Sequence, residues 1–238
     1  RQALGILRIL IEKKLELDLN ELLELAINEY NDALKNYLKD MLPKGFPNDS
    51  SKVKTESLSF CLERLKNWYQ KNNQINPAIF NAVAGRNITN ILDFSKRINA
   101  VNEFSAYKEA TSLAAINKRI KNILEKNQEQ LKDLNNNKGG ENNDNNEKPK
   151  ILKELFETDE EKNLFGALEK IESDCTALKQ AGNYIGILKN LTSLDDSLEK
   201  FFDKVMVMCE DKKLRTNRLN ILQRLRANFL SVADISGL

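Results

Sequence analysis

Histidine is absent from the 238 residues. That removes the usual general base, the usual activator of a nucleophile and the commonest zinc ligand together. No segment reads GxxxxGK(S/T), GxGxxG or GxSxG, so neither a phosphate-cradling loop nor a nucleophile elbow is expected. Glycine and proline are scarce, at nine and four residues, fewer than an enzyme built of loops would use. The three cysteines, Cys61, Cys175 and Cys209, are far apart and odd in number. They make no CxxC pair, which argues against a disulfide framework or a zinc site and for buried thiols in a reducing cytoplasm. No apolar run approaches the roughly 20 residues of a membrane span, and no signal peptide is visible. A charge excess is missing too. Lys and Arg total 37 against 35 Asp and Glu, for a net charge of +2, so bulk charge does not announce a nucleic-acid partner. No catalytic residue, metal ligand or cofactor is expected in the chain.

Helix-forming residues are what remain. Leu, Lys, Glu, Asn and Ile dominate, and no segment keeps a period of two, so the fold class is all-α. The chain begins at Arg1, already inside a helical pattern, and reads as a piece of a longer polypeptide. Leu4, Leu7, Leu10 and Ile11 mark a first helix to about Lys14. Asp18 or Asn20 can cap a second, with Leu22, Leu23, Ala26, Ile27, Tyr30, Leu34, Tyr37 and Leu38 as its stripe. Pro43 stops it, and Lys44–Ser51 reads as a polar loop. A third helix, about Val53–Lys71, turns Leu58, Cys61, Leu62, Leu65, Trp68 and Tyr69 inward. Trp68 reads as core, with base stacking as the alternative. Pro77 opens a short helix lined by Ala78, Ile79, Ala82 and Val83, and Gly85 ends it. Ile91, Phe94, Ile98, Val101 and Phe104 form the next stripe, from near Asn90.

A long helix is expected over Lys108–Leu134, with Leu113, Ile116, Ile120, Ile123, Leu124, Asn127, Leu131 and Leu134 inward. Asn135–Lys150 holds seven Asn and no aliphatic or aromatic residue, which reads as a flexible loop; its acids fit no EF-hand spacing. Thr158 or Asp159 can start a helix with Leu164, Phe165, Leu168 and Ile171. Gly182 marks a turn and Tyr184–Leu191 another helix. Ser193 or Asp195 can cap one with Leu198, Phe201, Phe202, Val205 and Met208. The last helix runs from about Leu214 to Ala233. Carboxylates such as Glu21 and Glu24, or Glu160 and Glu161, read as solvated helix charges rather than an acid–base pair.

Charge clusters locally. Lys212–Arg226 holds Lys212, Lys213, Arg215, Arg218, Arg224 and Arg226 and no acid. Lys118, Arg119 and Lys121 form a second group, flanked by Asn117 and Asn122. Lys and Arg neutralise phosphates, while Asn and Arg can also bond base edges, so the pattern suits RNA; a solvated basic helix face is the plain alternative. A wheel at about 100° per residue buries Leu214, Ile221, Leu222, Leu225, Phe229 and Val232. It puts Arg218 inside the apolar arc, Arg215 and Arg226 at its edge, and Lys213 and Arg224 outward. An inward guanidinium needs a partner, and Asp203, Glu210 and Asp211 are nearby candidates. Arg218 is thus open to a structural or an RNA-contacting role. Lys118 and Asn122 face outward, Arg119 flanks the stripe, and Asn117 can cross-link helices through its amide.

Four stretches read together as more than composition: RQALGILRILIEK at the start, AAINKRIKNIL at Ala114–Leu124, FFDKVMVMCEDKKLRTNRLNILQRLR at Phe201–Arg226 and FLSVADIS at Phe229–Ser236. The chain resembles, over essentially its whole length, the C-terminal third of the β subunit of bacterial two-subunit glycyl-tRNA synthetases. The resemblance implies a helical, DALR-type anticodon-binding domain over 76–238, with the Asn-rich loop at 135–150, preceded by the tail of another helical region over 1–75. It implies binding of glycine tRNA within an α2β2 ligase, with ATP, Mg²⁺ and aminoacylation in the separate α subunit and no membrane role. A scaffold that docks the α subunit or the rest of β is the alternative. Carried onto matching positions, RNA contacts fall on Asn117, Lys118, Arg119, Asn122, Arg215, Asn217 and Arg218, joined by Lys213 and Arg224 from the wheel and by Arg86. Between Ala84 and Phe94 the family usually shows an RRPTRP-like run; here Arg86 and Thr89 remain and the prolines do not.

Overall fold

A computed structural model describes residues 1–37, 50–72, 74–128 and 148–238. Among these residues there are ten α-helices and no strand, as the absence of period-two patterning predicts. Two compact units divide the chain, Arg1–Asn99 and Ala100–Leu238, a division later in the chain than the expected start of the second region at Asn76.

The first unit holds α1 (Gln2–Glu12), α2 (Leu19–Tyr37), α3 (Ser50–Asn72), α4 (Pro77–Ala84) and most of α5 (Ile91–Phe104). Asp18 settles the open choice of cap for α2: its Oδ1 accepts from the N–H of Asn20 at 2.8 Å. Its Oδ2 accepts from the Thr89 hydroxyl at 2.6 Å, and the Leu19 N–H donates to the Thr89 carbonyl at 2.9 Å. Thr89 is therefore engaged in tying down the start of α2. Asn76 caps α4 through the Ala78 N–H, with Pro77 at the first helical position, where its missing N–H costs nothing. Leu7, Leu10, Leu65, Tyr69, Phe80, Phe94 and Ile98 are buried here. The stripe expected on α2 is looser than its spacing suggests. Leu22, Leu23 and Ile27 are half-buried, Ala26 and Tyr30 are exposed, and Leu19 is the residue that goes inside. The polar loop expected over Lys44–Ser51 ends early, because Ser50 and Ser51 already belong to α3; residues 44–49 lie outside the described residues.

The second unit contains the end of α5, α6 (Ala110–Lys126), a 3-10 turn at Lys153–Leu155, α7 (Asp159–Gln180), α8 (Tyr184–Thr192), α9 (Asp195–Lys204), α10 (Lys212–Leu230) and a closing 3-10 turn at Ile235–Gly237. α6 starts two residues after Lys108, and the continuation expected to Leu134 lies outside the described residues beyond 128. Of the expected Asn-rich loop, only Lys148–Lys150 is described. Thr158 caps α7 in a capping box with Glu161. Neither Ser193 nor Asp195 caps α9; Leu194 takes that position without a side-chain bond, and Asp195 instead accepts from the Ser112 hydroxyl of α6 at 2.9 Å. α9 stops at Lys204, so Met208 is not on its stripe but exposed in the following link. Cys61 and Cys175 are buried, and burial pushes both thiols up from their ordinary pKa, whereas Cys209 is half-exposed with its Sγ 3.5 Å from the Asp211 carbonyl.

α10 is the hub. It packs against α6, α7 and the turn at Lys153–Leu155. Its apolar arc at Ile221, Leu222, Leu225 and Phe229 is fully buried as the wheel predicts, but Leu219 and Asn217 are buried too, and Leu214 is only half-buried. A helix with neighbours on several sides loses the polar face that a one-sided wheel assumes.

Candidate nucleic-acid interface

Asp211 caps α10, its Oδ1 accepting from the N–H groups of Lys213 and Leu214 at 2.7 and 3.0 Å. These bonds hold its carboxyl below the usual range. From that start, successive side chains meet different fates.

Arg218 is buried, with Nε 2.8 Å from Glu161 Oε1, Nη2 2.8 Å from Glu157 Oε2 and Nη1 3.1 Å from the Met206 carbonyl. The structural alternative is the one observed, and its partners are Glu157 and Glu161 rather than Asp203, Glu210 or Asp211. Glu161 is fully buried, not solvated as its place in an acidic run suggested. Its Oε2 accepts from the N–H groups of Glu157 and Thr158 at 2.9 and 3.0 Å. Burial alone would raise this carboxyl; the bonds from Arg218 and the two backbone donors outweigh it and hold the group below its ordinary value.

Arg224 corrects a second expectation. It does not point freely outward but forks onto Glu172 of α7, Nε to Oε1 at 2.9 Å and Nη2 to Oε2 at 2.6 Å. Lys148 joins the same carboxylate at 2.7 Å. Two parallel charged bonds fix both orientation and energy.

Asn117 and Asn217, expected as RNA contacts, are buried and engaged instead. Asn117 Oδ1 accepts from Arg226 Nη1 at 2.7 Å, so its amide does cross-link α6 and α10. Asn217 donates to the Leu152 carbonyl at 3.0 Å and accepts from the Leu152 N–H at 2.8 Å, anchoring the segment before α7 as a strand partner would. Arg226 also reaches Asp234 Oδ2 at 2.6 Å. Burial would raise the Asp234 carboxyl, but Arg226 and Ser236 hold it far below its ordinary value. Arg215 is half-buried, its Nη1 donating to the Cys209 carbonyl at 3.2 Å.

Four expected contacts of the second unit stay at the surface: Lys118, Arg119 and Asn122 on α6, and Lys213 on α10. No ion pair among the described residues engages Lys118, Arg119 or Lys213. The guanidinium carbon of Arg119 lies over the Phe202 ring of α9, 4.2 Å from its centroid. A cation–π contact of this kind attracts the charge to the ring without consuming the guanidinium's N–H donors. Arg86 is exposed in the turn after α4, within the first unit.

The carboxylates that take up the arginines, Glu157, Glu161, Glu172 and Asp234, are the residues that sequence reasoning missed. One carried a signal: Thr158-x-x-Glu161 is a capping-box spacing, which already draws Glu161 toward the helix start. The others meet α10 only through the tertiary fold.

Two family profiles match the chain. One, described as "DALR anticodon binding domain", covers residues 113–237; the other, "Glycyl-tRNA synthetase beta subunit", covers residues 1–85. Among curated relatives, the glycine–tRNA ligase β subunits of Pseudoalteromonas atlantica and Coxiella burnetii are 37% and 39% identical over 236 residues, or 99% of this chain. That of Serratia proteamaculans is 38% identical over 238 residues. In each case the chain spans 30% of the relative's length. No helix of the described residues is long and apolar enough to cross a membrane. With more than half of its residues matched, the chain belongs to the DALR anticodon-binding-domain family, joined to a segment similar to the glycyl-tRNA synthetase β subunit.

Proposed function

We propose that the chain binds the anticodon arm of glycine tRNA as part of a glycine–tRNA ligase, whose ATP- and Mg²⁺-dependent chemistry lies in a separate α subunit of an α2β2 enzyme. The observation that carries this reading is a set of outward cations and amides, Lys118, Arg119, Asn122 and Lys213, within the residues matched by an anticodon-binding family. Such groups neutralise phosphates and bond the edges of unstacked bases. Arg119 combines an exposed charge with an aromatic contact at Phe202 that leaves its N–H donors for RNA. The reading drops Asn117, Asn217, Arg218 and Arg224 as direct contacts, since each is engaged inside the fold, and keeps Arg86 as a separate candidate in the first unit. A mobility-shift titration of glycine tRNA against tRNAs with altered anticodons tests it. Tighter, salt-sensitive binding of glycine tRNA is expected; equal affinity for all would refute anticodon recognition.

A second reading applies to the first unit. Ile6, Ile9 and Phe60 are 52%, 54% and 46% exposed, and Ile6 and Phe60 line an apolar groove of about 640 Å³ between α1, α2 and α3. An exposed apolar patch of this kind marks a docking surface, here for the α subunit or the remainder of β. Ile6→Ser with Phe60→Ser should abolish α-subunit capture if α is the partner and leave RNA affinity unchanged.

A further inference from the structure

The first turns of α10 and the segment Lys150–Leu155 enclose an open groove of about 440 Å³ in the second unit. Its size is within the range of about 300–1,000 Å³ typical of small-ligand sites. Leu152 and Leu155 give it an apolar side, and Lys150, Lys212, Lys213 and Asn220 give it a polar one, with Glu154 as the single carboxylate on its lining. All three lysines are exposed, and none makes an ion pair with the described residues. Lys153, on the same segment, is by contrast paired with Glu169 at 3.0 Å. Lys212 and Lys213 also occupy the first turn of α10, where the helix dipole disfavours cations. Neither makes an ion pair among the described residues, although the Lys213 charge helps hold the Asp211 carboxyl below its ordinary value.

The wall of the groove is rigid. Asn217 holds Leu152 by two backbone bonds, and Asn220 Nδ2 donates to the Lys150 carbonyl at 2.8 Å. That bond leaves Asn220 Oδ1 as an acceptor at the mouth. An apolar slot beside three lysines that outnumber the one carboxylate, with an amide on its lining, matches the chemistry of a single unpaired nucleotide: a base to bury, phosphates to neutralise and a donor edge to meet. A fully apolar peptide would leave the lysines unanswered.

We infer that this groove takes one unpaired RNA base, with the adjoining phosphates on Lys150, Lys212 and Lys213. The inference rests on the tRNA-binding reading, with which it shares Lys213, and adds to it a pocket for a base. Thr216 also lines the groove, half-buried on α10, so Thr216→Trp fills it. The test uses the full chain and a labelled glycine-tRNA anticodon hairpin, together with hairpins in which each loop nucleotide is replaced singly by an abasic residue. On the unaltered protein, one abasic position is expected to weaken binding about tenfold. Thr216→Trp should weaken binding of the intact hairpin to a similar extent and make that position irrelevant. Lys212→Ala with Lys213→Ala, both exposed and safe for folding, should lower the slope of log affinity against log salt by about two units. If Thr216→Trp keeps the original affinity and abasic pattern, or the double lysine variant keeps the salt slope, the groove is not the site. Should Lys118→Ala with Asn122→Ala still weaken binding in that case, the tRNA reading stands without the groove. Displacement of the hairpin by a polyglutamate peptide at equal concentration would overturn the inference in favour of an acidic protein partner.

Discussion

On α10, Arg218, Arg224 and Arg226 lie against carboxylates of α7, the segment before it and the closing turn. On α6, Lys118 and Asn122 meet solvent and Arg119 rests on an aromatic ring. In the sequence, the α10 run is the denser and more conspicuous of the two. In the fold Arg218, Arg224 and Arg226 are neutralised by carboxylates while Lys212 and Lys213 stay exposed; on α6, Lys121 pairs with Asp234 at 3.5 Å, and Lys118 and Arg119 keep their charge available. The difference lies in position. Both helices pack against several elements, and a cation facing one of them needs a partner or a large desolvation cost follows; Lys118, Arg119 and Asn122 lie on the exposed face of α6. Charge counted along a chain is therefore a poor measure of charge presented to a ligand.

The contrast can be broken most forcefully at Arg218. Arg218→Ala leaves Glu161 fully buried without its counter-ion, and a loss of about 3–5 kcal/mol is expected for such a broken pair. Thermal unfolding measures it, and a melting temperature within error of the original would contradict the structural role. Arg224→Ala removes a charged fork at a half-buried site and should cost roughly 1–3 kcal/mol in denaturant unfolding. Were Arg224 an outward RNA contact, stability would not change.

Acid provides a milder probe of the same network. Glu161, Glu172 and Asp234 are held below ordinary carboxylate values in the folded chain. In the unfolded chain they return to roughly 4. Between those limits the unfolded state binds more protons, so stability is fully present near neutrality and falls as pH drops below about 5. Denaturant midpoints measured from pH 7 to pH 3 should show this decline. Arg218→Ala should show a shallower one, because Glu161 then loses its main stabilising partner.

Much of this was legible beforehand. The helices around Leu7, Leu65, Phe94, Leu113, Leu168, Phe201 and Leu222 follow from apolar spacing, and Asp18, Asn76 and Thr158 cap where their residue types allow. The wheel also placed Arg218 inward. It failed at Arg224 because it orients a side chain only against its own helix's apolar stripe, and the contact carried over to Asn217 from the resemblance took no account of what packs against α10. Whether Glu172 of α7 or the Leu152 backbone waits on the other side depends on tertiary packing, which no single-helix period encodes. Glu161 shows the opposite lesson: the local capping signal was present, and the surrounding acids disguised it as solvated surface.

On the proposed reading the outward lysines on α6 and α10, and not the arginines held inside, meet RNA. That reading is tested most directly by the salt dependence of glycine-tRNA binding for Lys118→Ala with Lys213→Ala set beside Arg224→Ala. The lysine variant should keep the original melting temperature and lose about two units of salt slope, one for each phosphate contact removed, while folded Arg224→Ala keeps the original slope. An unchanged slope in the lysine variant, with a reduced slope in Arg224→Ala, would contradict the account.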